Sequence, residues 1–396
     1  MNETAADISE IIPLSEPEIC GNEWKYVKDC LDRGWISSAG DYVVKFEKRV
    51  AEITGRRFAA ATSSGTTALH IALLVAGVEP GDEVLVSGLS FIAPANAISY
   101  CGAEPVFMDA EPDYWQMDPD KVRDFLRNEC GVEGGILYNK STGRRIRAIV
   151  PVDILGHPAD LDSIMEIAGE YGLSVISDAA ESAGAKYKGK PAGSMGDIAC
   201  LSFNGNKVVT AGAGGMIVTD DEDWARRAKY LTTQGKEEGI EYVHNEIGYN
   251  YRMNNLNAAV GYAQLENLDK FVQKKRRIAE VYSEAFEYIE GITCPRESKD
   301  AYSSYWLYTI LVNKDKFGRG RDDLIRELDA RGIKCRPLWQ PLYYNRPYAE
   351  CRRYRIEVID DLYQRAVSLP SSVGLTEVQQ DRVIEAVTEL ENQPGK

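Results

Sequence analysis

The chain has 396 residues, with 46 Lys or Arg against 61 Asp or Glu, and a formal net charge of −15. With 44% apolar and 27% charged residues it can bury a core in water, which excludes disorder over most of its length. The acidic balance argues against non-specific nucleic-acid binding, because that binding depends on cations that neutralise phosphates. No stretch is apolar enough to span a bilayer, and the amino-terminal segment lacks the basic and apolar regions of a secretory signal.

The eight cysteines are scattered along the chain and contain no CxxC pair. In a chain of this length the pattern predicts reduced thiols and a cytoplasmic location rather than a disulfide framework. The three histidines lie far apart in sequence, so we expect no metal site.

Short apolar runs alternate with helix-length amphipathic stretches from residue 58 onward. This is the rhythm of βαβ units, and it predicts a doubly wound, mainly parallel sheet. The predicted buried strands are residues 58–62, 83–87, 105–109, 148–152 and 173–177. Residues 198–203 and 214–220 follow with only a short connection, which predicts a local antiparallel pair.

The carboxyl-terminal third changes in character. Residues 254–289 have helical periodicity over a length well above that of an average helix, and we expect them to link two domains. Beyond them, strand and helix patterns predict a smaller α+β unit. The predicted organisation is a large α/β domain over residues 1–265, followed by a linking helix and a small α+β domain over residues 266–396.

Three polar features directly follow predicted strands. Ligands of parallel sheets bind at such positions, because the carboxyl ends of the strands meet at one edge of the sheet. The turn at 63–67 opens an apolar helix, and free N–H groups with the hydroxyls of Thr66 and Thr67 would form a phosphate site. Asp178 follows an apolar strand, where a desolvated carboxylate needs a cationic partner. Lys207 lies between a strand and a glycine-rich turn, where a sheltered amine can form a Schiff base.

Each feature also has an ordinary structural explanation. The 63–67 turn would serve as a helix cap, and so would Asp178. A single lysine is usually a solvated surface charge. Taken together, however, a phosphate site, a carboxylate for a ring nitrogen and a sheltered lysine are the minimum set for binding pyridoxal 5′-phosphate (PLP).

Longer motifs extend this hypothesis, and through them the chain resembles the DegT/StrS family of PLP-dependent nucleotide-sugar aminotransferases. The segments that carry the resemblance run from residue 34 to residue 342 and include GWISSAGDYVVKFEK, SSGTTALH, SDAAESAGAKYKGKPAGSMGD, LSFNGNK, EIGYNYRMNNLNAAVGYAQLE and RPLWQPL. The resemblance implies a fold-type I, aspartate aminotransferase-like α/β architecture, with a mainly parallel central sheet and a smaller C-terminal α+β domain. It also implies a homodimer with shared active sites.

The resemblance assigns roles to residues around the cofactor. Lys207 would bind PLP covalently and move a proton between substrate and cofactor. Asp178 would hold the pyridine nitrogen protonated, which makes the ring an electron sink. Glu181 would lie near the phenolic oxygen, and Phe91 would stack on the ring unless it simply packs in the core. The implied phosphate contacts are Gly65, Thr66 and Ser202 from one chain and Asn250 from the neighbouring subunit.

The resemblance also implies substrate contacts from two segments. The implied residues are Trp35, Ile36, Ser37 and Ser38, with Tyr305, Trp306 and Arg336 from the smaller unit. Arg252 and Arg336 are possible sources of positive potential for a diphosphate. For each of these residues, surface or interdomain packing is an equally good explanation. L-Glutamate would be the amino donor, and no metal is implied.

One departure from the family pattern bears on the substrate. Many members have histidine where this chain has Ala183. Together with NGNK and the insert at 130–147, whose NKSTG predicts a hairpin turn in a solvated loop, this favours the branch that acts on UDP-4-keto-6-deoxy-GlcNAc in bacillosamine and legionaminic acid pathways. The implied context is polysaccharide biosynthesis, as for lipopolysaccharide O-antigen.

Other functions stay open at this point. GDP-perosamine synthases, which aminate GDP-4-keto-6-deoxymannose, share GWISS and GYNYRM with this chain and are the alternative. A non-catalytic sensor of PLP and a nucleotide sugar is an alternative of another class. A nicotinamide-dependent dehydrogenase should carry GxGxxG after its first strand, and SSGTTAL does not supply it.

Overall fold

A computed structural model describes residues 11–237 and 239–391. Residues 1–10, on which most of the expectation about a secretory signal rests, lie outside the described residues. The helices in chain order are α1 Glu23–Asp32, α2 Asp41–Thr54, α3 Gly65–Val75, α4 Ala93–Tyr100, α5 Pro119–Glu129, α6 Leu161–Tyr171, α7 Glu222–Thr232, α8 Asn255–Leu265, α9 Leu268–Phe286, α10 Lys314–Phe317, α11 Arg321–Ala330, α12 Val358–Arg365 and α13 Glu377–Glu389. The strands are β1 Phe58–Thr62, β2 Glu83–Ser87, β3 Glu104–Met108, β4 Cys130–Glu133, β5 Ile136–Asn139, β6 Ile146–Val150, β7 Ser174–Asp178, β8 Lys186–Tyr187, β9 Lys190–Pro191, β10 Ile198–Ser202, β11 Gly215–Thr219, β12 Ile292–Thr293, β13 Ala301–Tyr302, β14 Tyr308–Val312, β15 Arg336–Pro337, β16 Arg353–Tyr354 and β17 Ala366–Leu369.

The largest sheet within the described ranges has eight strands in the order β1-β11-β10-β7-β6-β2-β3-β16. Neighbouring strands from β10 to β16 are parallel, whereas β11 runs antiparallel to both β1 and β10. Every residue of β2, β7, β10 and β11 is buried, as expected for central strands covered on both faces. The predicted mainly parallel central sheet of an α/β fold is confirmed.

The strand ends differ slightly from the prediction, and one of these shifts affects the site. Strand β7 includes Asp178, which the sequence pattern placed just beyond the strand. The N–H of Asp178 donates to Pro151 O at 2.9 Å, and its carbonyl accepts from the N–H of Asp153 at 3.0 Å. Strand-like hydrogen bonding therefore continues past the apolar run and fixes the backbone of this acid.

The long helical segment predicted over 254–289 is two helices, α8 and α9, because the chain turns at Glu266 and Asn267. The Glu266 carboxylate accepts hydrogen bonds from Asn22 Nδ2 at 2.7 Å and from the Tyr26 hydroxyl at 2.6 Å. These contacts tie the end of α8 to α1, a tertiary interaction that local periodicity does not encode.

The insert at 130–147 is more structured than the solvated loop expected from its polarity. It forms the hairpin β4–β5, which turns at Gly134 and Gly135 with φ of 59° and 80°, a left-handed conformation that favours glycine. NKSTG forms a second turn that leads towards β6. Asn139 in this insert is fully buried and donates through Nδ2 to Glu83 Oε2 at 2.8 Å, which anchors the hairpin to β2.

A second sheet, in the order β12-β14-β17-β15, has antiparallel strands and a core of its own. Helices α9, α11 and α13 contribute to this core. Ile12 also belongs to it, since its N–H donates to Gly332 O and its carbonyl accepts from Lys334 N, both at 2.9 Å. Strand β16, in contrast, extends the large sheet. The domain boundary predicted after residue 265 stays a prediction.

All eight cysteines are free thiols, and most of them are buried. Burial raises the pKa of both the Cys101 and Cys130 thiols to about 12, which keeps them protonated and unreactive near neutral pH. Within the described residues, no helix combines the length and apolar character needed to cross a membrane.

Candidate active site

The carboxyl ends of β7 and β10 meet the amino terminus of α3 at one edge of the large sheet. Strands β7 and β10 are parallel neighbours, with Asp178 opposite Cys200. Gly65, the first residue of α3, lies so close to the end of β10 that a Cβ built on it would be 2.9 Å from the Cβ of Ser202. Asp178 and the turn at the start of α3 therefore lie at the same edge of the sheet.

The side chain of Lys207 is held between a carboxylate and an indole. Its Nζ lies 3.7 Å from Oε1 of Glu181 and 3.7 Å from the centre of the Trp306 ring, and the side chain is 12% exposed. Burial lowers the pKa of Lys207, although the negative charges of Glu181 and Asp178 oppose this effect. A lowered pKa increases the fraction of neutral amine, which is the form that attacks a carbonyl carbon.

Hydrogen bonds shape the loop that contains Lys207. The carbonyl of Phe203, just after β10, accepts from the N–H of Ala211 at 2.8 Å and so closes the base of the loop. The carbonyl of Asn206 accepts from the indole N–H of Trp306 at 2.6 Å. The loop is thus fixed at its base and next to the lysine, which holds the amine at the end of β10.

Asp178 is a buried carboxylate that forms no ion pair within the described residues. It is 3% exposed, and its Oδ1 accepts a hydrogen bond from the N–H of Ala180 at 3.1 Å. Burial raises the pKa of Asp178 to about 7; the Ala180 N–H and the Lys207 charge oppose this, and the Glu181 charge adds to it. A protonated ring nitrogen would supply the cation that this carboxylate lacks.

Glu181 is a second buried carboxylate in the site. Its Oε2 accepts a hydrogen bond from the N–H of Leu155 at 2.8 Å, while Oε1 faces Lys207. Burial raises the pKa of Glu181, and the ammonium of Lys207 is the largest opposing influence. The carboxyl group can therefore exchange a proton within reach of the amine.

Sequence reasoning missed Asp153, a third buried acid beside these two. Its Oδ1 accepts from the N–H of Ala159 at 2.9 Å and its Oδ2 from the Ser182 hydroxyl at 2.5 Å. Burial raises the pKa of Asp153 to about 6. Asp153 directly follows a predicted apolar strand, and that position was the signal that could have identified it.

The amino terminus of α3 is both a helix cap and a candidate phosphate site. Ser64 Oγ accepts from the N–H of Thr67 at 3.1 Å, and Thr67 Oγ1 accepts from the N–H of Ser64 at 3.0 Å. The Thr67 hydroxyl is therefore engaged in the cap, which corrects its expected role in the phosphate site. In the first turn, the N–H groups of Gly65 and Thr66 have no intrahelical acceptor, and Gly65 lies beside Ser202.

Phe91 and Asn250 both present exposed side chains. The Phe91 ring, just before α4, is 55% exposed, so the alternative that it packs in the core is wrong. The ring is accessible for stacking on a ligand. Asn250 is exposed in a segment that pairs with Thr233. Its contact with the cofactor of a neighbouring subunit stays a prediction.

The residues predicted to contact substrate are not all brought together. Trp306 is buried against Lys207, and Tyr305 precedes it with a strained φ of 45°. Trp35 is half exposed, and Ser37 and Arg336 are exposed. The contacts of the described residues do not connect these last three to the lysine, so their role in substrate binding stays a prediction.

Arg252 has a structural role that the sequence did not indicate. Its Nη1 donates to Glu47 Oε1 at 2.8 Å and to Ala61 O at 3.1 Å, so it joins α2 to β1. Its charge is paired there, which makes it a poor source of positive potential for a diphosphate.

A buried asparagine of α8 fixes the segment that contains Trp35. Asn255 is 2% exposed; its Nδ2 donates to Trp35 O at 2.7 Å, and its Oδ1 accepts from the N–H of Tyr42 at 3.0 Å. Its own N–H donates to Ser37 O at 2.7 Å. The position of Trp35 and Ser37 therefore depends on this side chain.

Replacement of Asn255 by alanine is expected to lower the free energy of unfolding by about 2–4 kcal/mol in total, because two backbone groups lose their partners. It should also raise KM for the sugar substrate if Trp35 and Ser37 contact it. Urea unfolding and steady-state kinetics measure both effects. Asn128→Ala, at an exposed position, is the control. Equal stability of the two variants would contradict the anchoring role of Asn255.

The residues present fit PLP on observations of the structure itself. The buried Asp178 carboxylate lacks a cation, the amine of Lys207 is sheltered, and the closeness of Gly65 to Ser202 leaves room for no side chain at that helix start. These groups match the ring nitrogen, the aldehyde and the phosphate of PLP, respectively.

Comparison with known proteins gives the same assignment. The model of the DegT/DnrJ/EryC1/StrS aminotransferase family matches residues 17–388. GDP-perosamine synthase of Escherichia coli O157:H7 is 39% identical over 379 residues, which cover 96% of this chain and 98% of that protein. GDP-perosamine synthase of Caulobacter vibrioides is 38% identical over 380 residues, with the same coverage.

A solved structure agrees with these relatives. The crystal structure of a DegT DnrJ EryC1 StrS aminotransferase from Brucella abortus matches with a TM-score of 0.86 and 28% identity, over 94% of this chain and 96% of that one. The chain therefore belongs to the DegT/DnrJ/EryC1/StrS aminotransferase family and is a PLP-dependent sugar aminotransferase.

Proposed function

We propose that the protein transfers the amino group of L-glutamate to the 4-keto carbon of a nucleotide-linked 4-keto-6-deoxy sugar. The observation that carries the proposal is the position of the Lys207 amine, 3.7 Å from Glu181 and at the edge of the sheet where Asp178 ends β7. PLP bound there supplies an electron sink for the electrons released when a C–H bond beside the amino group breaks. The proposed setting is cytoplasmic polysaccharide biosynthesis.

The residues of the chain supply proton transfer and charge. Lys207, as a neutral amine, accepts a proton at Nζ from the carbon that bears the donor's amino group. The resulting ammonium is stabilised by the Glu181 carboxylate and by the face of Trp306, and it returns the proton in the second half-reaction. Asp178 holds the ring nitrogen protonated. Burial of these groups excludes water and strengthens their interactions.

The two half-reactions use one site in turn, which predicts ping-pong kinetics. We further propose a homodimer in which Asn250 of each chain contacts the phosphate bound by the other. The exposed position of Asn250 is compatible with this contact. Gly65, Thr66 and Ser202 bind the same phosphate from their own chain.

The relatives described above favour one nucleotide sugar as the acceptor of the amino group. Two of them are GDP-perosamine synthases at 38% and 39% identity, which supports GDP-4-keto-6-deoxymannose. The second candidate is UDP-4-keto-6-deoxy-GlcNAc, favoured by Ala183 and the insert at 130–147. Ala183 is packed in the large core and 6% exposed, so its identity bears less directly on the substrate than the sequence suggested.

Incubation with L-glutamate and a panel of 4-keto-6-deoxy nucleotide sugars tests the proposal. We expect an aminated product from the GDP-linked ketone, identified by mass spectrometry and NMR, and none with Lys207→Ala. Product from the UDP-linked ketone alone would replace the preferred substrate with the second candidate. No product from any 4-ketone would contradict the proposed reaction.

Adding glutamate without a sugar distinguishes the proposed enzyme from a sensor that binds PLP without catalysis. The proposed enzyme should convert its visible absorbance to that of the aminated cofactor when glutamate is added without a sugar. A sensor would keep its visible band unchanged.

A further inference from the structure

Lys275 is a buried lysine that the proposed reaction does not use. It lies on α9, is 2% exposed, and forms no ion pair within the described part of the chain. Its Nζ donates to the carbonyl of Trp306 at 2.9 Å and to the carbonyl of Ser371 at 2.5 Å. Burial lowers the pKa of Lys275 to about 7. An unpaired cation in a protein interior is unfavourable, so this placement calls for a functional explanation.

The two carbonyls lie next to strands of the smaller sheet, since Trp306 precedes β14 and Ser371 follows β17. Ser371 follows β17, and its hydroxyl accepts from the N–H of Tyr308 at the start of β14 at 3.0 Å. Tyr282, two turns beyond Lys275 on α9, donates to Pro370 O at 3.1 Å. Lys275 therefore links α9 to the segment that enters β14 and to the segment that leaves β17.

Trp306 is also fixed from the side of the active site. Its indole N–H donates to Asn206 O at 2.6 Å, and its ring stacks on Trp339 with centroids 6.1 Å apart and planes 15° from parallel. The preceding Tyr305 has a φ of 45°, which a non-glycine residue keeps only where the surroundings hold it. The hydrogen bond from Lys275 to the next carbonyl supplies such a constraint.

We propose that Lys275 is a positioning residue that holds the Trp306 carbonyl and thereby keeps the indole ring over the amine of Lys207. The inference rests on the proposed role of Lys207 and adds to it a residue that touches neither substrate nor cofactor. An aromatic face stabilises an ammonium, so a ring that moves away makes the Lys207 ammonium less stable. Glu181 and Asp178 are the charged groups that also act on this amine.

The variant K275M removes the N–H donors and keeps a side chain of similar length, while K274M changes the exposed neighbour on the same helix. In the cofactor-free protein, the pKa of Lys207 is measured by NMR of reductively methylated lysines, with K207R identifying the signal. We expect K275M to lower this pKa by about 0.5–1 unit and K274M to leave it unchanged. We also expect kcat to fall by about 10- to 100-fold in K275M alone.

A double-mutant cycle with W306L tests whether Lys275 acts through Trp306. Because the ring is absent in W306L, adding K275M should change the Lys207 pKa no further. Additive effects, or a Lys207 pKa in K275M equal to that in K274M, would overturn the proposal. The pKa is read without cofactor or substrate, so this result is independent of the proposed sugar acceptor.

Urea unfolding of K275M controls for an effect of the substitution on folding. K275M removes an unpaired buried cation, which favours stability, but it leaves the carbonyls of Trp306 and Ser371 without their donor, which opposes it, so the urea midpoint of K275M is measured beside that of the parent. If K275M unfolds at a lower urea concentration, K275Q, whose side-chain amide keeps N–H donors, provides the comparison. We expect K275Q to shift the Lys207 pKa by less than K275M; a shift in K275Q as large as that in K275M would then overturn the proposal.

Discussion

Replacement of Lys207 by alanine is expected to abolish the visible absorbance of bound PLP and to reduce amino transfer by at least about 10²- to 10⁴-fold, the contribution of a positioned acid–base group. In the proposed mechanism this amine bonds to the cofactor and accepts and returns the proton. Lys275, another buried lysine of this region, cannot substitute for it, because its Nζ is occupied by the carbonyls of Trp306 and Ser371. Absorbance spectra and glutamate-dependent product formation measure the two losses.

The fold should survive this replacement. Glu181 loses the ammonium that faces it, but burial already raises the pKa of this carboxyl, so it can take up a proton instead of remaining an unpaired charge. Circular dichroism and urea unfolding should therefore match the parent closely. Lys190→Ala, at an exposed position, is the control and should keep both colour and activity. A coloured, active Lys207→Ala protein would show that the catalytic amine is elsewhere.

The sequence was sufficient to predict seven of the eight described strands of the large sheet, because these seven are nearly continuous apolar runs, whereas the short strand β16, Arg353–Tyr354, is not. It was also sufficient to place Asp178 and Lys207, since both follow such runs and the carboxyl ends of strands meet at one edge. The division of the 254–289 segment was not predictable in the same way. The break at Glu266 depends on hydrogen bonds from Asn22 and Tyr26, more than 200 residues earlier in the chain.

The contacts around Lys207 were even less predictable from the sequence, because they depend on tertiary structure. The contact between Lys207 and the Trp306 ring joins positions 99 residues apart, and the hydrogen bond from Trp306 to Asn206 joins positions 100 residues apart. Helical spacing puts Lys275 on the same face of α9 as Phe271 and Ile278, but a lysine within KKRR would ordinarily be expected in solvent, so its residue type gives no indication of burial. Family resemblance named Trp306 as a substrate contact, whereas the structure places its ring against the amine.

Replacement of Asp178 by asparagine is expected to have opposite effects on activity and on the stability of the cofactor-free protein. The amide retains the shape of the carboxylate but cannot hold the ring nitrogen protonated, so amino transfer should fall by about 10²- to 10³-fold. Burial raises the pKa of Asp178 to about 7, above its ordinary value of 3.8. The stability contributed by its protonation is present at low pH and is lost as the pH rises through 7.

The asparagine variant does not titrate at this position and should escape that loss. At pH 8 the cofactor-free Asp178→Asn protein should therefore be more stable to urea than the parent, by up to about 4 kcal/mol if the whole pKa difference is expressed. The difference should disappear near pH 4, where the parent carboxyl is protonated in the fold. Asp113→Asn, at an exposed position, should show neither effect. A variant less stable than the parent at pH 8 would mean that the Asp178 carboxylate is already well compensated.

Addition of PLP should reverse the order of stability. In the proposed site the ring nitrogen would give the Asp178 carboxylate its missing cation, so the parent should gain more from the cofactor at pH 8 than the asparagine variant does. The gain is measured as the shift in urea midpoint on adding PLP to each protein. Equal gains would contradict a contact between Asp178 and the ring nitrogen, even if activity is lost. A larger gain in the parent would mean that the fold keeps a destabilising buried acid because the cofactor requires it.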